Sequence, residues 1–322
     1  PSPRMNVLIT GIEGFVGSHL AEFLLKKTDA KIFGTVQFLN RTQNIEHIRS
    51  SLQLFEANIL EREKLSSLLQ QISPDIIFHL AAQAFVPTAI DKPYDTFQTN
   101  INGALHLLET IRSKKIPSKI IIVSTGEVYG NVMENELPIT ELSPLKPNNP
   151  YATSKACIDL LAQTYKQSFG VNVIVGRPFN HAGPRQNPVF VCSDFAKQLI
   201  EIKKGIRPPT MTVGNLLPIR DFVDVRDVVR AYWLLATKDV RFPVYNVCAQ
   251  NPRSIDSVLQ ELISISNVNV TIQQDASRLR SYDISKIYGS AQRLNDECGW
   301  KAEIPFSQTL NDTLNYWEKE LA

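Results

Sequence analysis

Thr10-Gly11-Ile12-Glu13-Gly14-Phe15-Val16-Gly17 separates a β-branched run, Val7 to Thr10, from a stretch in which Phe15, Val16, Leu20, Phe23 and Leu24 recur at helical spacing. Strand, glycine turn and helix in that order form a phosphate-binding unit. The first glycine permits the tight turn, the second lets backbone N–H groups approach a pyrophosphate, and the third lets helix and strand pack closely. The spacing is G-x-x-G-x-x-G, not the commoner G-x-G-x-x-G, and three glycines alone would fit a turn with no ligand. The flanking strand and helix favour the nucleotide site. Gly11, Gly14, Phe15, Val16 and Gly17 are thus the first candidate cofactor contacts.

Beyond this unit the alternation continues. Lys31 to Val36 reads as a strand, Glu61 to Ile72 as a helix, Asp75 to Ala81 as a strand buried on both faces, and Asp95 to Arg112 as a helix. Lys119 to Thr125, Tyr151 to Phe169 and Val171 to Gly176 add strand, helix and strand. Repeated βαβ units imply an α/β fold, a Rossmann-like doubly wound parallel sheet. After Arg177 the rhythm breaks into Pro-rich loops, with helices near Ser193 to Lys204 and Arg226 to Ala236. Val244 to Cys248 suits a strand returning to the main sheet, and Ser307 to Leu321 a closing amphipathic helix. The expected division is a dinucleotide domain of residues 5–176 plus about 223–250, interleaved with a smaller substrate lobe of 177–222 plus 251–322. Pro1 to Arg4 precede the first strand pattern and are read as an added leader.

The 322 residues carry 34 Lys and Arg against 32 Asp and Glu, a net charge of +2 that provides no long-range field for nucleic acid or a membrane surface. No apolar run approaches the roughly 20 residues of a bilayer span, and no charged-then-apolar signal pattern opens the chain, so the expected compartment is the cytosol. Cys157, Cys192, Cys248 and Cys298 are scattered, without a C-x-x-C pair or clustered histidines, and are expected to be buried, inert thiols with no metal site.

At the end of the second strand an acid would bind the adenosine 2′-hydroxyl and repel a 2′-phosphate. Thr35, Val36, Gln37 and Phe38 stand there instead, and nearby Arg41 is a candidate phosphate partner, so NADP(H) is preferred over NAD(H). Tyr151 and Lys155 lie four residues apart, on one face of a helix. A nearby ammonium is expected to lower the phenol's pKa from its ordinary value near ~10 and make it a general acid/base. Alone, Y-x-x-x-K fits an exposed helical pair equally well. The preceding strand ends in Ser124-Thr125, whose hydroxyls can polarise a substrate oxygen.

Thr10 to Gly17, His79 to Gln83 (HLAAQ), Ser124 to Gly130 (STGEVYG), Tyr151 to Lys155 and Arg177 to Pro184 (RPFNHAGP) together resemble the extended short-chain dehydrogenase/reductases, the nucleotide-sugar epimerases, dehydratases and reductases. The resemblance runs from Met5 over essentially the whole chain. It implies that Thr125 carries the catalytic hydroxyl, that Asn58 replaces the family's adenine-contacting acid, and that Ile59, Leu80, Ala81 and Ala82 join the cofactor site. Within the family, Phe179 to His181, Phe190-Val191, Asp194 to Gln198 and Gly214 to Val228 look most like the GDP-4-keto-6-deoxy-mannose reductases, and next like the GDP-mannose 4,6-dehydratases.

That likeness implies a nucleotide diphosphate held by Asn180, Lys197, Arg220 and Arg280, with Gln83, Glu127, Val191 and Asp283 also at the substrate. Two phosphates need cationic, forked donors, and three long basic side chains on separate loops can converge on them. Departures are Arg280-Ser281-Tyr282-Asp283 in place of R-P-x-E, and Ile45-Glu46-His47-Ile48, which echoes a dehydratase segment without its paired arginines. Glu127 suits a base or a sugar-hydroxyl ligand, whereas Gly126 offers no leaving-group acid. The expected activity is NADPH-dependent reduction of the C4 ketone of a nucleotide-linked 4-keto-6-deoxy sugar. The alternatives are a 4,6-dehydratase, a 4-epimerase, or a dinucleotide sensor without turnover. Family habit also implies a homodimer.

Overall fold

The structure is a computed structural model and describes residues 3–322, so Pro1 and Ser2 of the expected leader lie outside the described residues. Seven strands form the main sheet: β1 (Asn6–Thr10), β2 (Lys31–Val36), β3 (Gln53–Glu56), β4 (Ile76–His79), β5 (Lys119–Val123), β6 (Val173–Pro178) and, after three strands of the lobe, β10 (Val244–Val247). Their order is β10-β6-β5-β4-β1-β2-β3, all parallel. The doubly wound Rossmann-like sheet read from the sequence is the observed one, including the returning strand β10.

Alternation along each strand divides the core into two layers. Val7 and Ile9, Ile76 and Phe78, Ile121 and Ile174 face helices α1 (Phe15–Lys27) and α8 (Val225–Thr237). Leu8, Ile77, Ile120, Ile122, Val173 and Val175 face α2 (Arg62–Ile72), α5 (Gly103–Lys114) and α6 (Pro150–Phe169). Period-2 side chains that are apolar on both faces are what a parallel sheet covered on both sides requires.

The helix expected over Asp95 to Arg112 is interrupted. α3 (Val86–Asp91) and α4 (Pro93–Phe97) lead into a π-turn, Gln98–Asn102, before α5. Asn100, inside that turn, is buried and donates to Ser154 Oγ (2.9 Å) and the Gln83 carbonyl (3.1 Å), tying this segment to α6. β4 ends at His79, two residues short of expectation, because the N–H groups of Leu80 and Ala81 turn onto the Thr10 hydroxyl.

The lobe holds β7 (Asn180–Ala182), β9 (Ile219–Asp224) and β11 (Pro252–Ser254) in one small sheet, and β8 (Thr210–Val213) with β12 (Thr271–Gln274) in another. Its own apolar cluster joins α7 (Val191–Lys203), α9 (Ile255–Ser266) and α11 (Phe306–Glu320). The sequence reading did not single out α9 or these short strands. Ile284 to Trp300, including α10 (Gln292–Cys298), were assigned by sequence to the lobe, yet they bury with α8 and β10 in the main-sheet core. The cysteine expectation needs one correction. Cys192, Cys248 and Cys298 are buried, but Cys157 is exposed, on the outer face of α6.

α6 starts at Asn149, whose side chain accepts the Ala152 N–H (2.8 Å), and stops at Gly170 in the left-handed region. Two turns in, Asp159 is fully buried and takes two hydrogen bonds from Arg177 of β6 (2.6 and 2.8 Å). Removing one member of such a pair strands the other's charge in the core, at about 3–5 kcal/mol. Asp159→Ala is therefore expected to lose about that much stability in urea unfolding; a loss below about 1 kcal/mol would remove the pair from its structural role.

Candidate active site

Gly11 has a φ of +68°, and a Cβ at Gly17 would lie 2.3 Å from the Gly11 carbonyl oxygen, so the loop closes tightly against the first turn of α1. Helix α1 has no side-chain cap, which leaves its first N–H donors facing the loop. Thr10 anchors this end of the sheet. Its Oγ1 accepts from Leu80 and Ala81 (3.0 and 3.1 Å) and meets His79 Nδ1 at 2.7 Å. Burial takes the His79 pKa down to about 3, so the ring is neutral and Nδ1 accepts the Thr10 proton. An open glycine cradle below an uncapped helix fits a dinucleotide's pyrophosphate.

A cavity of about 1100 Å³ runs from this loop to the lobe. Its wall takes in Gly11, Gly14, Phe15, Val16, Gly17, Leu80 and Ala82, together with Thr125, Glu127, Tyr151 and Lys155, and Asn180, Val191, Arg220, Arg280 and Asp283. Residues from both ends of the chain thus meet in one space.

Tyr151 and Lys155 share a face of α6, and both side chains are buried. Lys155 Nζ donates to the Val123 carbonyl (2.9 Å), and burial brings its pKa down to about 8. The phenol does not behave as its spacing from Lys155 suggested. Burial pushes the Tyr151 pKa well above the ordinary tyrosine range, the Glu127 carboxylate adds to that, and only a hydrogen bond with Thr125 opposes it. Loss of solvation outweighs the Thr125 hydrogen bond, so the phenol is neutral and can give its proton only where a stronger base, such as a developing alkoxide, faces it.

Burial lowers the Arg220 pKa while Glu127 and Asp283 pull it back. Burial likewise raises that of Glu127, against Asn149, Arg220 and Arg280. The Arg280 guanidinium stands 5.8 Å from the Phe85 ring centroid. Gly126 lies between Thr125 and Glu127, and a Cβ there would meet the Phe179 ring at 2.9 Å. The ring, and not only the choice of glycine, keeps a side chain out of that position.

Six expected contacts are not in the cavity wall. Gln83 spends its amide on Phe85 N–H (2.6 Å), the Phe85 carbonyl (3.1 Å) and Thr96 Oγ1 (3.1 Å), bracing its own loop. Lys197 lies with Nζ 5.3 Å from the Trp317 ring, covering α11. Arg41 is exposed over Phe38, 4.9 Å from its ring centroid. Asn58 accepts from the Leu60 N–H (2.9 Å) within its own turn, Ile59 buries against Gly103, and Ala81 contributes its N–H to Thr10.

Conversely, the cavity wall includes residues to which the sequence reading gave no site role. Arg278 pairs with Asp194 at 2.9 Å, and both line the cavity. His181 donates through Nδ1 to the Phe179 carbonyl (2.9 Å) and stacks on Phe15 at 6.1 Å. Phe85 packs edge-on to Phe190. Asn149, the cap of α6, also lines the cavity and donates to the Glu127 carboxylate (3.4 Å).

The family model for GDP-mannose 4,6 dehydratase matches residues 8–313. The chain belongs to this family. It is 34% identical over 315 residues to the GDP-6-deoxy-D-mannose reductase of Pseudomonas aeruginosa, covering 98% of each chain. It is also 29% identical to GDP-mannose 4,6 dehydratase 2 of Arabidopsis thaliana, over 96% of this chain and 85% of that one. Among solved structures, RMD from Pseudomonas aeruginosa complexed with NADPH superposes with a TM-score of 0.85 at 33% identity, covering 98% of this chain and 99% of that one. UDP-glucose 4-epimerase from Thermotoga maritima with UDP-glucose gives 0.88 at 26% identity, covering 99% and 100%. The extended short-chain dehydrogenase/reductase resemblance and its reductase branch agree with these matches. No helix among the described residues is long and apolar enough to cross a membrane.

Lys155 supplies the pH dependence. A bound dinucleotide that engages its ammonium raises its pKa, so affinity is highest while the free enzyme's Lys155 is charged and falls as pH rises through about 8. Fluorescence titration of reduced dinucleotide between pH 6 and 10 checks this. Lys155→Met is expected to flatten the profile, and an unchanged profile would detach it from Lys155.

Proposed function

We propose that the protein reduces the C4 ketone of a nucleotide-linked 4-keto-6-deoxy sugar, of the GDP-4-keto-6-deoxy-mannose type, with NADPH as reductant. The observation that carries this reading is a buried Tyr151 in one cavity with Thr125, Lys155 and the glycine cradle. The bound nicotinamide dinucleotide supplies the hydride to C4. Tyr151 gives its phenolic proton to the oxygen that becomes the alcohol, and Thr125 hydrogen-bonds the same oxygen, fixing the carbonyl before transfer. Lys155 positions the nicotinamide ribose. Tyr151 then recovers a proton from solvent. Asn180, Arg220 and Arg280 hold the diphosphate, and Glu127 and Asp283 accept from sugar hydroxyls.

A 4,6-dehydratase is the second reading, favoured by Glu127, a buried carboxyl on the cavity that suits a base at C5. Against it, the Phe179 ring closes the neighbouring position to an acid that would protonate a departing C6 hydroxyl. We further propose a cytosolic homodimer joined through the outer face of α6, where Leu160 is 56% exposed beside Cys157.

Three experiments test this function. Mixed with the freshly made 4-keto sugar and NADPH, the enzyme is expected to consume reduced-nicotinamide absorbance. Ketone formation from the nucleotide hexose without consumption would establish the dehydratase. Tyr151→Phe is expected to keep dinucleotide affinity and lose about 10²–10⁴-fold in kcat; unchanged turnover would sink the mechanism. Arg220→Met, by removing a charge-assisted contact, is expected to raise KM for the nucleotide sugar about 10- to 100-fold while leaving dinucleotide Kd in place. An equal effect on both constants would count against a diphosphate role.

A further inference from the structure

Glu13 sits in the middle of the glycine loop, but its side chain reaches the end of β2. Its Oε1 accepts the N–H of Gln37, the first residue beyond that strand, at 3.4 Å, and its carbonyl accepts from Asn44 Nδ2 at 3.0 Å. The other carboxylate oxygen, Oε2, is buried and has no hydrogen-bond partner. A buried carboxylate oxygen without a donor is costly to keep and calls for a partner.

The end of the second strand is where dinucleotide folds place the acid that accepts the adenosine 2′-hydroxyl and repels a 2′-phosphate. None of Thr35 to Phe38 is acidic, and the sequence alone leaves that place without a carboxylate. The fold brings one there from another element. Burial raises the Glu13 pKa against the pull of its backbone hydrogen bonds, as expected of an acceptor short of donors. The one cation read from the sequence for a 2′-phosphate, Arg41, stays exposed on Phe38 close by in the chain.

We propose that Glu13 supplies from the glycine loop the carboxylate that the second strand lacks, accepting the adenosine 2′-hydroxyl through Oε2 and opposing a 2′-phosphate. Affinity for NADP(H) is then a contest between Glu13 against it and Arg41 for it. The inference rests on the dinucleotide half of the proposed function and adds a specificity determinant to it.

The test is binding, independent of turnover. Dissociation constants for NADH and NADPH are measured by fluorescence titration on the full chain, and those for AMP and adenosine 2′,5′-bisphosphate by calorimetry. Glu13→Gln keeps the shape of the side chain and an acceptor for Gln37 while removing the charge. It is expected to tighten NADPH relative to NADH by about tenfold, and the bisphosphate relative to AMP by a similar factor. Glu13→Ala, which needs no amide in the pocket, should move both ratios the same way. Arg41→Ala should move them in the opposite direction. If wild type and Glu13 variants bind both cofactors with the same ratio, Glu13 only braces the loop and the inference is overturned. Failure of the wild type to bind either dinucleotide would bring down the cofactor reading together with it.

Discussion

The Asp159 carboxylate and the Arg177 guanidinium meet in the core, and four parts of the chain are positioned by what they share. Arg177 gives two hydrogen bonds to Asp159 and a third, through Nη1, to the Tyr129 hydroxyl at 2.8 Å; that hydroxyl donates to Asn246 Oδ1 at 2.6 Å. Asn246 in turn donates to the Ile139 carbonyl (3.1 Å). Burying two charges is tolerable only with every donor satisfied, and this chain satisfies them by joining β6, α6, β10 and the turn after β5. Tyr151, Lys155 and Asp159 form one i, i+4, i+8 stripe of α6, so fixing Asp159 also fixes the angle at which the phenol and the ammonium enter the cavity.

Low solvation then sets the chemistry. In water a lysine one turn from a tyrosine would favour the phenolate. Here burial raises the phenol's pKa, and the Glu127 carboxylate raises it further. The result is a proton donor, suited to an alkoxide developing on the substrate. Glu127 is itself steadied by Arg220 and Arg280, the cations proposed for the diphosphate, so the proposed acid and the proposed anchors belong to one field.

Local pattern made much of this legible. The strand–glycine–helix unit, the two-faced strands and the Tyr151/Lys155 spacing are written in consecutive residues and need no partner to be read. Where the structure departs from the local pattern, the cause is shared. Gln83 and Lys197 were matched to motif positions, but their side chains are committed elsewhere, to the Phe85 loop and to Trp317, by contacts made only once distant segments fold together. The short strands of the lobe carry too few residues for alternation to register, and the packing of Ile284 to Trp300 against the main sheet follows from long-range burial that no local window contains.

By itself the sequence determined the α/β class, the parallel sheet, the glycine turn before α1, the placing of Tyr151 and Lys155 on one face of α6 and the family, because each depends on periodicity or on motifs a few residues long. Only the tertiary structure decided the desolvation of the Tyr151 phenol, the closure of the Gly126 position by Phe179 and the arrival of Glu13 at the end of β2. Each of these depends on solvent exclusion or on a side chain from another part of the chain, and neither is encoded at the position it affects.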